Sequence, residues 1–325
     1  MEQESESESH DPSRTQHNIT QHNTTQHNNT TQHRGSSIGI CFGCAMKLPA
    51  CNLSPSSPPS TMVTILGLGS LLSERSSRTT FPDLSNFRLG RVSNQYRRVF
   101  GHPASIFFRR GLANMETKEF SSLSAEALDF YSTKNDDLDY QGGFICSVFE
   151  VPREQVYLDE TDGDGRIVAT RPTGAFLERE EEFDIVEVPF VEFSDSNGKT
   201  GDNDEPTAAA AVAAATKLGT LCTRFTDQGY LERWGKSRFD EKFSRYGIDT
   251  IWGWEADSGL LPCRVYLRHC YLAAKSMGPS CLDSFLDETF LVDRKTTIRQ
   301  YLEEREPNLV ETTIPPPGFE QRYSG

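Results

Sequence analysis

The folded part of the chain announces itself through its apolar runs. Val63-Thr64-Ile65-Leu66 is β-branched and aliphatic, and it breaks abruptly into Gly67-Leu68-Gly69-Ser70 before Leu71-Leu72. Such a run ending in glycine predicts a buried strand that delivers a tight loop. Residues 71–78 then predict a short helix. Residues 87–89 and 95–100 predict strands about a turn at Gly90, and 105–108 and 111–113 predict further short strands. The clearest buried strand is 143–151, a mostly apolar stretch ended by Pro152. Residues 173–183 predict a short capped helix running into a strand at 185–191. The alanine-rich stretch 207–218 predicts a helix, and 229–246 two short helices around a Trp252-Gly253-Trp254 patch. Residues 263–277 predict a helix stopped by Gly278-Pro279, and 296–306 another.

The polar half of the pattern lies at the start. Residues 1–60 repeat Gln16-His17-Asn18, Gln21-His22-Asn23, Gln26-His27-Asn28 and Gln32-His33, then pass through Ser54-Pro55-Ser56-Ser57-Pro58-Pro59. A tract of this kind has too little apolar surface to offset the entropy of ordering, which predicts a disordered low-complexity tail ahead of one domain at 61–325. Cys41-Phe42-Gly43-Cys44 and Cys51 lack the second ligand pair that a zinc site needs, so no metal is expected.

Charge and cysteine usage narrow the setting. Acidic residues number 47 against 33 basic, a formal charge of −14, which argues against a nucleic-acid partner. No apolar run reaches membrane-spanning length. The acidic opening Met1-Glu2-Gln3-Glu4 differs from targeting peptides, so no membrane association and a cytoplasmic location are expected. Eight cysteines without framework spacing fit reduced thiols.

The first loop admits three chemical readings. A dinucleotide fingerprint needs a third glycine where Leu72 stands and an acid about 20 residues on, and the segment 86–91 supplies none. A phosphate-binding P-loop fails because no Gly-Lys-Ser/Thr follows. A backbone cradle for carbonyl or anionic oxygen remains, since two glycines and a serine leave the amides approachable. No cofactor is expected.

Five of the seven histidines fall within 1–60, leaving His102 and His269, the first read as a loop residue and the second as a packed helical one. No Gly-x-Ser-x-Gly elbow and no His-Glu-x-x-His pair is present. The acidic stretch 159–165 matches a calcium loop at several positions, but Arg171 stands where a bidentate Glu is required. What the residues leave is a carboxylate working as general acid/base opposite the loop. Glu178-Arg179-Glu180-Glu181-Glu182 sits between Phe176-Leu177 and Phe183, so at least one of its carboxylates is expected to face apolar surroundings.

Gly67-Leu68-Gly69-Ser70-Leu71-Leu72 resembles the Tyr-Gly-Ser-Leu/Asn loop of the γ-glutamylcyclotransferase-like family. Phe176-Leu177-Glu178-Arg179-Glu180 resembles that family's later segment ending in the catalytic glutamate. Leu261-Pro262, Tyr266 and Ala273-Ala274-Lys275 are similar to its C-terminal helix. The resemblance covers most of 62–193 and 260–303, with 194–255 standing as a helical insertion. It implies an α+β fold built on a small mixed β-barrel with surrounding helices. It also implies an enzyme that cyclises a γ-glutamyl group to 5-oxoproline with release of an amine or amino acid. Gly67, Leu68, Gly69, Ser70 and Leu71 would then bind the substrate and Glu180 would be the base, with Glu181 the alternative register. Leu68 replaces the family's usual Tyr. The rival expectation is a non-catalytic barrel that binds a small molecule or partner.

Overall fold

The computed structural model describes residues 61–128, 142–193 and 216–325. The expectations for the tail at 1–60, its cysteines and most of the 207–218 helix lie outside those residues.

The most apolar runs, β1 (Met62–Gly67) and β5 (Phe144–Pro152), form the strands at the heart of the barrel. β1 pairs antiparallel with β5, β5 with β2 (Ser85–Val92), β2 with β8 (Asp184–Glu192) and β8 with β9 (Lys217–Thr223). β9 then meets β1 in parallel through Ile65 and Thr220, closing a five-strand mixed barrel. Alternation along the strands divides the core. Leu66, Phe144, Cys146, Val148, Phe190 and Leu221 join one cluster, whereas Val63, Ile65, Phe149 and Val151 join another with Phe81, Leu84 and Phe176. Two buried faces explain why β5 is mostly apolar on both, with Ser147 and Glu150 the polar exceptions.

Outside the ring, β9 continues in parallel to β4 (Glu119–Ala127), which pairs antiparallel with β3 (Tyr96–Pro103). β6 (Tyr157–Thr161) and β7 (Ile167–Pro172) form a separate hairpin, and the acidic stretch 159–165 lies in its first strand and turn. β10 (Leu261–Pro262) and β11 (Thr289–Phe290) are two-residue additions to β4 and β3.

Helices cover the ends of the barrel. α1 (Glu74–Thr80) starts at Ser73, whose hydroxyl caps the Ser76 amide, and α2 (Ser105–Arg109) follows β3 directly. α3 (Arg153–Val156) is a single turn, and α4 (Gly174–Arg179) is capped by Thr173, whose Oγ1 accepts from the Phe176 amide at 3.1 Å. α5 (Asp227–Trp234) and α6 (Lys236–Lys242) build a second core, in which Tyr230, Phe239, Phe243 and Trp252 meet Phe108 and Phe120. α7 (Arg264–Ser276) buries Leu267, Cys270, Ala273 and Ala274 in the barrel core and packs on the Ser70–Leu72 turn. α8 (Pro279–Asp287), α9 (Ile298–Glu304) and α10 (Leu309–Thr312) complete the chain. No helix among the described residues is long and apolar enough to cross a membrane.

Several local expectations are corrected. Residues 105–108 are helical, because Ala104 ends the strand and Phe107 and Phe108 turn inward on α2. Gly90 lies inside β2, where a Cβ would stand 2.5 Å from Val148 Cγ2; the chain reverses at residues 93–96 instead. Gly278-Pro279 does stop α7, which ends at Ser276, and it also begins α8, with proline in the first turn where its missing amide costs nothing. His102 sits in β3, fully buried, rather than in a loop. Within the span set aside as an insertion, Lys217–Thr223 is the strand that closes the barrel.

Candidate active site

The loop after β1 is held from both sides. The Leu71 carbonyl accepts from Ser77 Oγ at 2.8 Å and from Ser147 Oγ at 2.6 Å, and the Leu72 amide donates to the Gly69 carbonyl at 3.0 Å. Leu68, Gly69, Ser70 and Leu71 line a cavity of about 380 Å³. Gly67 does not. It lies beneath the loop, where a Cβ would meet Ser147 Oγ at 2.4 Å and the Leu71 carbonyl at 2.7 Å, so its glycine is a packing requirement. Gly69 is just as confined, since a Cβ there would stand 2.6 Å from the Tyr266 hydroxyl.

Tyr266 of α7 thus backs the loop. Its phenol contacts the Ser70 backbone and the Ser122 and Cys270 side chains, and burial pushes its pKa well above the ordinary value. The group stays protonated at neutral pH, a fixed neutral dipole beside the loop.

The acidic run enters the same cavity from the end of α4. Glu178, Glu180, Glu181 and Glu182 all line it, together with Thr220 and Cys222 of β9. Their environments differ sharply. Glu180 caps α4 and pairs with Arg179 at 2.9 Å, its side chain only 15% exposed. It lies beside Cys222, whose thiol is pushed well above its usual range by burial first and then by the Glu180 charge. Glu181 is buried and saturated: Lys242 Nζ donates to it at 2.6 Å, Arg238 Nε at 3.0 Å and Ser105 Oγ at 3.1 Å.

Glu182 is buried, with no ion pair among the described residues. Its Oε1 accepts from the Ser105 backbone amide at 3.1 Å. Burial, and next the neighbouring Glu181 charge, raise its pKa from 4.5 to about 7.

The second core fixes this run from behind. Trp234 Nε1 donates to the Glu181 carbonyl at 3.1 Å, and Trp252 Nε1 to the Glu182 carbonyl at 3.0 Å. The helical segment at 227–254 therefore positions the acidic run as well as packing on the body.

The structure brings Leu68, Gly69, Ser70 and Leu71 together with Glu180 and Glu181, and leaves out Gly67. It adds Ser105, Glu182, Lys242 and Tyr266, which the sequence reading gave no role. Glu182 was within reach of that reading as part of a run flanked by apolar residues. Ser105 and Lys242 carry no local signal, because their parts depend on which helix ends meet. A second cavity of about 440 Å³ adjoins the first and shares Ser70, Ser122, Glu182 and Tyr266 with it.

In chemical terms the site sets the glycine–serine loop and a neutral phenol on one side and a graded set of carboxylates on the other. That combination can hold a carbonyl oxygen and move a proton. No family model and no curated protein sequence matches the chain. Among solved structures, the chain is similar to the crystal structure of a selenomethionine-labelled, glutathione-specific γ-glutamyl cyclotransferase from yeast. The identity is 10%, the match covers 69% of this chain and 95% of that one, and the TM-score is 0.37.

Proposed function

We propose that this protein is a γ-glutamylcyclotransferase-like enzyme, converting a γ-glutamyl compound to 5-oxoproline and a free amine or amino acid. The observation that carries the reading is the meeting of residues 68–71 and Glu180, remote in sequence, on one small cavity. The substrate's α-amine attacks its own γ-carbonyl carbon. The new C–N bond closes a five-membered ring, and the bond from that carbon to the leaving nitrogen breaks. Glu180 takes the proton from the attacking amine and returns it to the leaving nitrogen, so neither water nor a redox partner is consumed. Negative charge that builds on the carbonyl oxygen faces the loop amides, where pre-oriented donors are worth most. Holding the amine folded against the carbonyl supplies the remainder, because intramolecular attack gains heavily from orientation. The same proposal has the enzyme working in the cytoplasm, in keeping with the free thiols at Cys146, Cys222, Cys263, Cys270 and Cys281.

The neutral-range pKa of Glu182 favours a second assignment of the base within this reading. Release of 5-oxoproline from a panel of γ-glutamyl peptides and amines, measured for wild type, Glu180→Gln and Glu182→Gln, tests both. Loss of about 10²–10⁴ in rate is expected for the residue that moves the proton. Wild type that binds members of the panel without turning them over would instead support a non-catalytic binding module.

A further inference from the structure

A run with four acids in five residues, two of them buried, needs a restraint that stops its charges from turning it outward to water. Inside the run the Phe183 amide closes a turn on the Glu180 carbonyl at 3.0 Å. The next three carbonyls each accept from a side chain of 227–254. Trp234 Nε1 donates to Glu181 at 3.1 Å, Trp252 Nε1 to Glu182 at 3.0 Å and Arg233 Nη1 to Phe183 at 2.7 Å. A buried indole N–H has to find some acceptor, so either tryptophan bond alone would be ordinary packing. Three donors from one segment on three successive carbonyls go further than that.

The donors are themselves fixed. Asp227, at the start of α5, accepts from the Ile251 and Trp252 amides, both at 2.9 Å, and the Trp252 ring is stacked on His102 at 4.3 Å. Arg233 lies over the Phe225 ring at 4.2 Å. The Arg238 guanidinium lies over Trp234, also at 4.2 Å, while its Nε donates to the Glu181 carboxylate. Glu181 is thus taken by 227–254 at main chain and side chain both, which leaves the acids flanking it, Glu180 and Glu182, for the cavity. Arg233, Trp234 and Trp252 stand behind the run and outside the lining of both cavities. The segment also falls between the two stretches that the family resemblance covers, so that resemblance does not account for it.

We propose that Arg233, Trp234 and Trp252 are positioning residues for the cyclisation: their hold on three successive carbonyls sets the register of 180–183, so that Glu180 and Glu182 meet the substrate while Glu181 is turned to Arg238 and Lys242. This rests on the proposed cyclotransferase reading for the reaction, though not for the hold itself. Because the three donors are remote from the substrate, loosening them misplaces the base without removing a binding contact, and small misplacements of a reacting group cost rate heavily.

The test compares Trp234→Phe/Trp252→Phe, which keeps both aromatic rings and drops both N–H donors, with Arg233→Met and with Arg233→Lys, which keeps a donor. For each, kcat and KM for 5-oxoproline release from γ-glutamylglycine are measured beside amide hydrogen exchange over 176–184 and over β1 and β5. The double variant should lose about 100-fold in kcat with KM within about twofold of wild type. Exchange at 180–183 should quicken while that of β1 and β5 holds, and Arg233→Lys should retain more turnover than Arg233→Met. Unchanged kcat, a KM that rises as far as kcat falls, or exchange that quickens everywhere alike overturns the positioning role. Wild type that releases no 5-oxoproline, with variants that still loosen at 180–183 alone, sustains the hold and overturns the cyclotransferase reading. Neither turnover nor local loosening overturns both.

Discussion

Ser105 donates its backbone amide to Glu182 at 3.1 Å while its hydroxyl donates to the adjacent carboxylate of Glu181, also at 3.1 Å. One residue at the start of α2 therefore holds two buried acids side by side, and among the described residues the hydrogen-bonded cations, Arg238 and Lys242, sit on Glu181. Glu182 is left to bear the repulsion. Removing the Glu181 charge with Glu181→Gln should lower the Glu182 pKa from its value of about 7, read by carboxyl NMR or by the pH profile of turnover.

The same raised value fixes a stability trend. Between pH 4.5 and about 7 the native Glu182 keeps a proton that the unfolded chain has lost. The native state binds more protons there, so stability falls as pH rises through that window. Glu182→Gln cannot ionise and should remove this contribution. Urea titrations at pH 5 and pH 7.5 should show a shallower decline for the variant than for wild type, and parallel declines would count against the burial of the charge.

His102 works in the opposite sense. It is buried, stacked on Trp252 at 4.3 Å and edge-on to Phe183 at 5.0 Å, and neither ring nitrogen has a hydrogen-bond partner among the described residues. Burial, and then Arg224, lower its pKa from 6.5 to about 3. The unfolded chain binds the extra proton between those values, so stability drops as pH falls from 6.5 toward 3. His102→Phe should lessen the loss between pH 6.5 and pH 4, measured by thermal melts at matched ionic strength.

Gly69 and Tyr266 are mutually restrictive. A Cβ at Gly69 would lie 2.6 Å from the phenol oxygen but 3.6 Å from the ring carbon that bears it. Gly69→Ala should therefore cost about 1–3 kcal/mol as an overpacked site. Adding Tyr266→Phe should restore most of that loss. A double variant no more stable than Gly69→Ala would place the strain elsewhere.

Lys242 holds Glu181 through both carboxylate oxygens. Lys242→Met should cost about 1.5–3 kcal/mol, since a buried carboxylate then loses a charged donor and keeps Arg238 and Ser105. Pairing it with Glu181→Gln should recover a large share, and a denaturation series on the four proteins gives the coupling directly.

The parts of the fold legible in the sequence are those with strong local patterns. β1, β5 and β8 bury apolar runs, and α4 begins at a threonine that caps it. β9 was hidden because Lys217-Leu218-Gly219-Thr220 follows an alanine-rich stretch and alternates only weakly. His102 looked like a loop residue because Pro103 follows it, yet Pro103 closes the strand rather than interrupting it. For the site, Gly69, Ser70 and the acidic run carried their own signals, but the step from loop to glutamate came through family resemblance. The difference between Glu180, Glu181 and Glu182 could not be read at all, because it is set by Ser105, Lys242 and two tryptophans from other parts of the chain.

Closure of the ring by β9 has a consequence for assembly. That strand occupies the open sides of β1 and β8 at once and also meets β4. Until it docks, the nascent sheet presents unpaired peptide groups along two neighbouring edges, a template for pairing between chains. A protein truncated ahead of Lys217 would lose Thr220 and Cys222 from the cavity and gain a self-association hazard in the same stroke. Soluble expression of such fragments should thus fall away together with the site.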